Sequence, residues 1–197
     1  MRKTRDAPVD SQGCEKTADE SQSPEMVRYQ VLISLMLSSQ RKDQVTFAAM
    51  GKLKAYGLTI ENILTTSTSK IGELIYPVGF WKVSKFLSES GTTLLFHHHI
   101  LTNSIAPLSA NFQVWAQKMV HITMNVAWRQ VTGTGVDTHV HRISNRPGWV
   151  KKCTKLPEET RIADELNVLM VGFGQETCVP VSPMCKFCLN SKICPEG

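Results

Sequence analysis

The chain has 197 residues, 42% of them hydrophobic, enough for one substantial core or two small lobes. No apolar run approaches the roughly 18 residues of a membrane span; the longest, Val31 to Leu37, reads as a buried helix. The formal net charge of +5 favours a polyanionic partner.

Residues 1–25 are polar, mixed in charge and without hydrophobic periodicity, which is the composition of a disordered lead-in. Setting them aside leaves 18 basic against 11 acidic residues, a surplus of +7 for the body. MRKTR is a short basic run, and no Arg-rich, acid-poor transit segment is visible. Val27 to Ser39 is apolar and free of Gly and Pro, so it is expected to be helical. An amphipathic helix follows from Gln44 to Tyr56, with Gly57 as its stop. Thr59 and Ser67 each open a further short helix, and Pro77 with Gly79 mark the next turn. Trp81 to Phe96 reads as another helix, broken at Gly91; His97, His98 and His99 after it read as solvated rather than metal-bound.

Val114 to Trp128 is the next helix, with Trp115, Met119, Ile122 and Val126 on one face. Gly133 and Gly135 end it, Asp137 is expected to cap the following helix, and Pro147-Gly148 closes that one. LPEETR, from Leu156 to Arg161, looks like a further helix start, and the apolar stretch from Leu166 to Gly174 leads into a cysteine-rich end. Short helices joined by short polar turns, with no strand pattern, predict an all-α protein.

Cys178, Cys185, Cys188 and Cys194 are spaced C-x6-C-x2-C-x5-C. Thiolates so close in sequence suit an iron–sulfur cluster or zinc. Structural zinc usually takes two separated ligand pairs, and only one C-x2-C is present. Spacing alone therefore ranks a [4Fe–4S] cluster first, with zinc and free or paired thiols as alternatives. The other two cysteines, Cys14 and Cys153, show no sign of pairing, which suits a reducing compartment.

VGFGQETC followed by this spacing resembles the C-terminal end of the endonuclease III family of DNA-repair glycosylases. LMLSSQRKDQVT from Leu35 to Thr46, IYPVGFW from Ile75 to Trp81 and VDTHVHRISNR from Val136 to Arg146 are similar to eukaryotic members. The likeness runs from about Arg5 to Pro195. It implies a helix–hairpin–helix glycosylase fold of two helical lobes. One lobe would combine residues 26–39 with 132–197 and carry the cluster loop at 178–194. The other would span 40–131 and include the hairpin at about 108–128. The implied activity is base-excision repair of oxidised pyrimidines in duplex DNA, with AP lyase cleavage by β-elimination at the abasic site. The implied protein is a monomer with a [4Fe–4S] cluster, no membrane contact, and a nuclear or mitochondrial address.

The residues take roles by position. Lys118, nineteen residues before Asp137, matches the family's nucleophilic lysine; by itself it would be a snorkelling surface lysine at the border of an apolar face. A lysine held against apolar surface is easier to deprotonate, as Schiff-base chemistry needs. Asp137 matches the catalytic aspartate, a role compatible with capping. Gln40 matches the glutamine that enters the space left by the flipped nucleotide. Lys186 and Lys192 would meet phosphates, and Arg142, four residues before Arg146 on one helix face, is a further phosphate candidate. His139 and His141, two apart on a helix, are expected to serve packing.

Three departures stand out. NFQVWAQK occupies the place of the family's LPGVG-x-K hairpin, so Gln113 and Trp115 replace glycines that let backbone N–H groups approach a phosphate. About ten residues are missing between Glu158 and Val168, and Pro147 replaces a helix-compatible residue. These changes predict weaker DNA affinity and strain around the cysteine loop, and keep open an alternative: a DNA-binding relative with little catalysis, or an unstable product.

Overall fold

A computed structural model describes residues 7–38, 41–78, 116–129, 135–149 and 164–196, with the side chains of 116–120 and 164–166 left out of the description. Within these residues the ordered elements are all helical, as the sequence predicts. They are α1 (Pro8–Gln12), α2 (Pro24–Ser38), α3 (Asp43–Tyr56), α4 (Ile60–Thr65), α5 (Thr68–Ile75), α6 (Ala116–Trp128), α7 (Thr138–Asn145) and α8 (Asp164–Glu176), with 3-10 turns at Cys14–Lys16 and Cys185–Phe187. No described helix is long and apolar enough to cross a membrane. The expected helices at Trp81–Phe96 and Leu156–Arg161, the histidines at 97–99 and the hairpin segment before Ala116 lie outside the described residues.

Helix ends fall where local chemistry places them. Thr59 Oγ1 accepts from the Asn62 N–H at 3.2 Å and Ser67 Oγ from the Lys70 N–H at 3.3 Å, each satisfying a donor with no partner in the first turn. Gly57 ends α3 with φ 103, and its N–H donates to the Leu53 and Lys54 carbonyls. That left-handed conformation suits glycine.

α2 is the centre of the fold. Nine consecutive residues, Tyr29 to Leu37, are buried, so the helix has no solvent face. One side joins Met50, Leu53, Ile63, Ile71 and Ile75 from α3 to α5, with Trp128 of α6 packed against that cluster. The sequence grouping of 26–39 with the C-terminal lobe thus needs correction: this segment supplies Tyr29, Leu32, Ile33, Met36 and Leu37 to the core of the middle region. A second, smaller core is formed by Val140 and Ile143 of α7 with Met170 and Phe173 of α8, and Cys178 and Cys188 pack on it. α8 runs unbroken from Asp164, so the shortening before it leaves that core a thirteen-residue helix.

The N-terminal stretch also differs from expectation. Residues 7–22 are not a solvated tail: Ala7 and Thr17 are 1% exposed, the Val9 N–H donates to Gln175 Oε1 at 3.1 Å, and the Asp19 N–H donates to Gln30 Oε1 at 2.8 Å. The buried groups are small or polar and the anchors are backbone amides, so no apolar period announces them.

Replacing Gly57 by alanine should cost about 1–2 kcal/mol through the left-handed backbone, read as a lowered denaturant midpoint with unchanged slope; an unchanged midpoint would contradict the assigned turn.

Candidate active site

A cleft of about 950 Å³ lies where the two cores meet. α2, α3 and the turn between them contribute Leu35, Ser38, Arg41, Lys42, Asp43 and Gln44; α6 contributes Ile122, Asn125 and Val126; α7 and the turn before it contribute Gly135, Asp137, Thr138 and His139; α8 adds Asn167, Val171, Gly174 and Gln175. The N-terminal stretch closes one side with Pro8, Val9 and Cys14.

Asp137 sits in this cleft as the N-cap of α7, its Oδ1 accepting from the Val140 N–H at 2.7 Å. The cap holds the carboxylate beside the positive end of a helix. Lys118 lies on α6, and its side chain is outside the description. Ile122, one turn further along that helix, lines the cleft. The apolar stripe on α6 is thus only partly core. Met124 is 2% exposed and Thr123 and Asn125 are also buried, whereas Ile122 and Val126 are half-buried at the cleft wall. Gln40 falls outside the described residues; Arg41 and Lys42 beside it are exposed cations on the cleft.

Four residues here escaped the sequence reading: Arg41, Lys42, Asn167 and Gln175. A polar side chain inside the apolar run LNVLMVGFG was the available signal for Asn167. Gln175 bridges the cleft floor, its Nε2 donating to Asp43 Oδ2 at 2.8 Å while its Oε1 holds the Val9 N–H.

The cysteine loop is tied to the far end of α7. Arg142 Nε donates to the Cys178 carbonyl at 3.0 Å and its Nη2 to the Gly174 carbonyl at 2.9 Å. Arg146 reaches the Val179 and Pro180 carbonyls, both at 2.8 Å, and Cys178 Sγ at 3.2 Å; its Nε pairs with Glu196 at 3.2 Å. Gly174 permits this approach, since an added Cβ would stand 2.8 Å from His139 Nδ1 and 3.0 Å from Arg142 Nη2. Arg142 thus gives Nε and Nη2 to loop carbonyls of its own protein. Burial lowers its pKa, and neighbouring Cys178 pulls it back up. His139 contacts Arg142 and His141 contacts Asn145, the packing roles expected of them. Pro147 lies beyond the end of α7, in a turn with Gly148 at φ 73, and breaks no helix.

Cys178, Cys185, Cys188 and Cys194 are all free thiols and line one pocket, walled by Ile143, Phe173, Pro147 and Pro183. Among the described residues no three His, Cys, Asp or Glu side chains close on a single point as one ion would require. The four thiols share one largely apolar pocket, a donor set that could hold a metal centre. Arg146 beside Cys178 Sγ supplies the donor that a thiolate ligand needs. Lys186 and Lys192 are exposed on the same loop.

Residues 33–167 match the HhH-GPD superfamily of base excision DNA repair proteins. The chain is 49% identical to endonuclease III-like protein 1 of Gallus gallus and 51% identical to that of Bos taurus, with all of this chain aligned to 74% and 68% of those proteins. The chain belongs to the endonuclease III family. As a family member it is a base-excision-repair DNA glycosylase with AP lyase function, and the inactive or unstable alternative is not favoured. It is also 42% identical to a chloroplastic endonuclease III homolog of Arabidopsis thaliana, over 56% of that protein. The fold agrees: a non-covalent endonuclease III–DNA complex superposes with a TM-score of 0.72 at 20% identity, over 86% of this chain and 83% of that one.

Burial pushes the Cys14 thiol up to about 12, and the Glu15 and Asp43 carboxylates add to the shift. A raised folded-state value means that its contribution to stability is whole below the ordinary pKa of 9.0 and is lost as pH rises from there through about 12. Cys14 borders the cleft, but at pH 8 its raised pKa keeps the thiol neutral, so iodoacetamide followed by peptide mass mapping should label it more slowly in folded protein than in denaturant; equal rates in both would show that the N-terminal stretch is not docked.

Proposed function

We propose that this chain excises oxidised pyrimidines from duplex DNA and cleaves the resulting abasic site, with Lys118 as the amine nucleophile and Asp137 as its carboxylate partner. The observation that carries the reading is the placement of Asp137. It caps α7 inside a cleft that the helix bearing Lys118 also lines, through Ile122, Asn125 and Val126.

In this reading the Lys118 amine forms a bond to the deoxyribose C1′ while the C1′–N bond to the damaged base breaks and the base leaves with the electron pair. Asp137 stabilises positive charge developing at the sugar and carries protons to and from the lysine. The iminium that follows acidifies the C2′ proton; its removal expels the 3′ phosphate oxygen, and hydrolysis then returns the free lysine. Gln40 fills the stack vacated by the flipped nucleotide. Arg41, Lys42, Lys186 and Lys192 meet backbone phosphates. The four cysteines hold a [4Fe–4S] cluster whose contribution is to cross-link the loop that carries Lys186 and Lys192.

Borohydride trapping on a duplex with one oxidised pyrimidine tests the nucleophile. The unaltered chain should yield a covalent adduct and Lys118→Gln none; an adduct of equal yield from the variant would reject the assignment. Asp137→Asn should retain the fold yet lower the single-turnover rate by about 10²–10⁴-fold. Arg146→Ala removes donors to Cys178 Sγ and to two loop carbonyls, so iron retention against a chelator should weaken by about 10–100-fold. Full retention would separate this arginine from the metal site.

A further inference from the structure

We propose that Asn167 is a positioning residue for the reaction. Through the carbonyl of Gly135 it holds the short segment that presents Asp137 and fixes that segment against the helix carrying Lys118. The proposal rests on the Lys118–Asp137 reading given above.

The segment from Gly135 to Asp137 has no regular secondary structure of its own, so its geometry is set by what grips it. Three grips are present. Asn167 Nδ2 donates to the Gly135 carbonyl at 2.7 Å, reaching across from α8. Val136 packs on the core formed by α7 and α8. Asp137 closes the end with its bond to the Val140 N–H. Of these, only the first acts on the backbone ahead of the carboxylate.

Gly135 is also pressed against α6. A Cβ at this position would collide with the Ile122 side chain, and would stand 3.3 Å from Asn167 Nδ2. Ile122 is one helical turn beyond Lys118. The Gly135 backbone is therefore clamped between the amide of α8 and the helix that bears the nucleophile. This contact sets how closely the segment ahead of Asp137 approaches α6. Ile122, Gly135, Asp137 and Asn167 all border the same cleft. A buried carbonyl that lost its donor would turn to find another or draw in water, and Asp137, two residues on, would turn with it. A misplacement of about 1 Å at a reacting group is enough to cost about 10²-fold in rate.

Asn167→Leu keeps the size of the side chain and removes the donor. The experiment compares it with the unaltered full-length chain in three readouts. These are the thermal midpoint, the Kd for a duplex containing a reduced abasic analogue that cannot react, and the single-turnover rate of borohydride-trappable adduct at saturating enzyme. The expected result is a rate lowered about 10–100-fold, with a Kd close to the unaltered value and a midpoint lowered only as far as the loss of one buried hydrogen bond requires. Asn167→Gln, which restores an amide donor, should recover part of the loss. An unchanged rate overturns the proposal. So does a rate that falls only in step with the midpoint and the Kd, because that is the signature of a merely structural residue. If Asn167→Leu does not fold, Asn167→Asp, which sets an acceptor against the Gly135 carbonyl, is read by the same criteria. An unaltered chain that forms no adduct overturns the lysine reading itself, and that result is separate because it involves no change at Asn167.

Discussion

The guanidinium groups of Arg142 and Arg146 are the contacts on which the functional half of this protein depends. The cysteine loop has almost no regular structure, so its carbonyls need donors from elsewhere. Two arginines one turn apart on α7 supply them, at Cys178, Val179 and Pro180. A planar fork with several fixed N–H groups can serve neighbouring carbonyls at once, which a lysine ammonium does less well. The same eight-residue helix carries Asp137 at its other end. The carboxylate and the thiol pocket are thus two ends of one rod about 12 Å long, and neither can shift without the other.

α2 fixes the frame in which that rod sits. A helix buried over nine consecutive residues cannot rotate or slide without opening voids in close-packed surroundings. It gives Leu35 and Ser38 to the cleft and larger side chains to the core behind it. The cleft therefore has one wall anchored in the larger core and another anchored in the smaller α7–α8 core. Gln175, bonded to both Asp43 and Val9, joins them at the floor.

Much of this was legible in the sequence because it is written in local chemistry. Thr59, Ser67 and Asp137 announce helix starts by their side-chain oxygens, and Gly57 announces a stop by its freedom at positive φ. The cysteine spacing marked a shared centre for the same reason: thiolates a few residues apart can hardly avoid one another. What was not legible depends on the partner rather than on the residue. Arg142 and Arg146 are visibly on one face, but only the folded chain shows that this face meets the carbonyls of the cysteine loop. The stripe of Ile122 and Val126 on α6 reads as core, yet a cleft wall has the same apolar period as a core. The assignment of 26–39 to one lobe failed because a helix apolar on every side gives no direction. Ala7, Gly13 and Thr17 are buried without any apolar run, so composition alone described their segment as a tail.

That segment has a consequence for the order in which the protein comes into being. Val9 and Gln175 are 166 residues apart in sequence and hydrogen-bonded in the fold. At ribosomal rates the delay between their syntheses is on the order of ten seconds. During that interval α2 to α5 already have a core of local contacts to collapse upon, and the N-terminal stretch can rest on α2 through the Asp19–Gln30 bond but still lacks its partner on α8. One side of the cleft is therefore completed by residues made well before the helix that carries Gln175. Until α8 is made, the Gln175 bridge between Asp43 and Val9 cannot form, so the floor of the cleft is the last part of it to close.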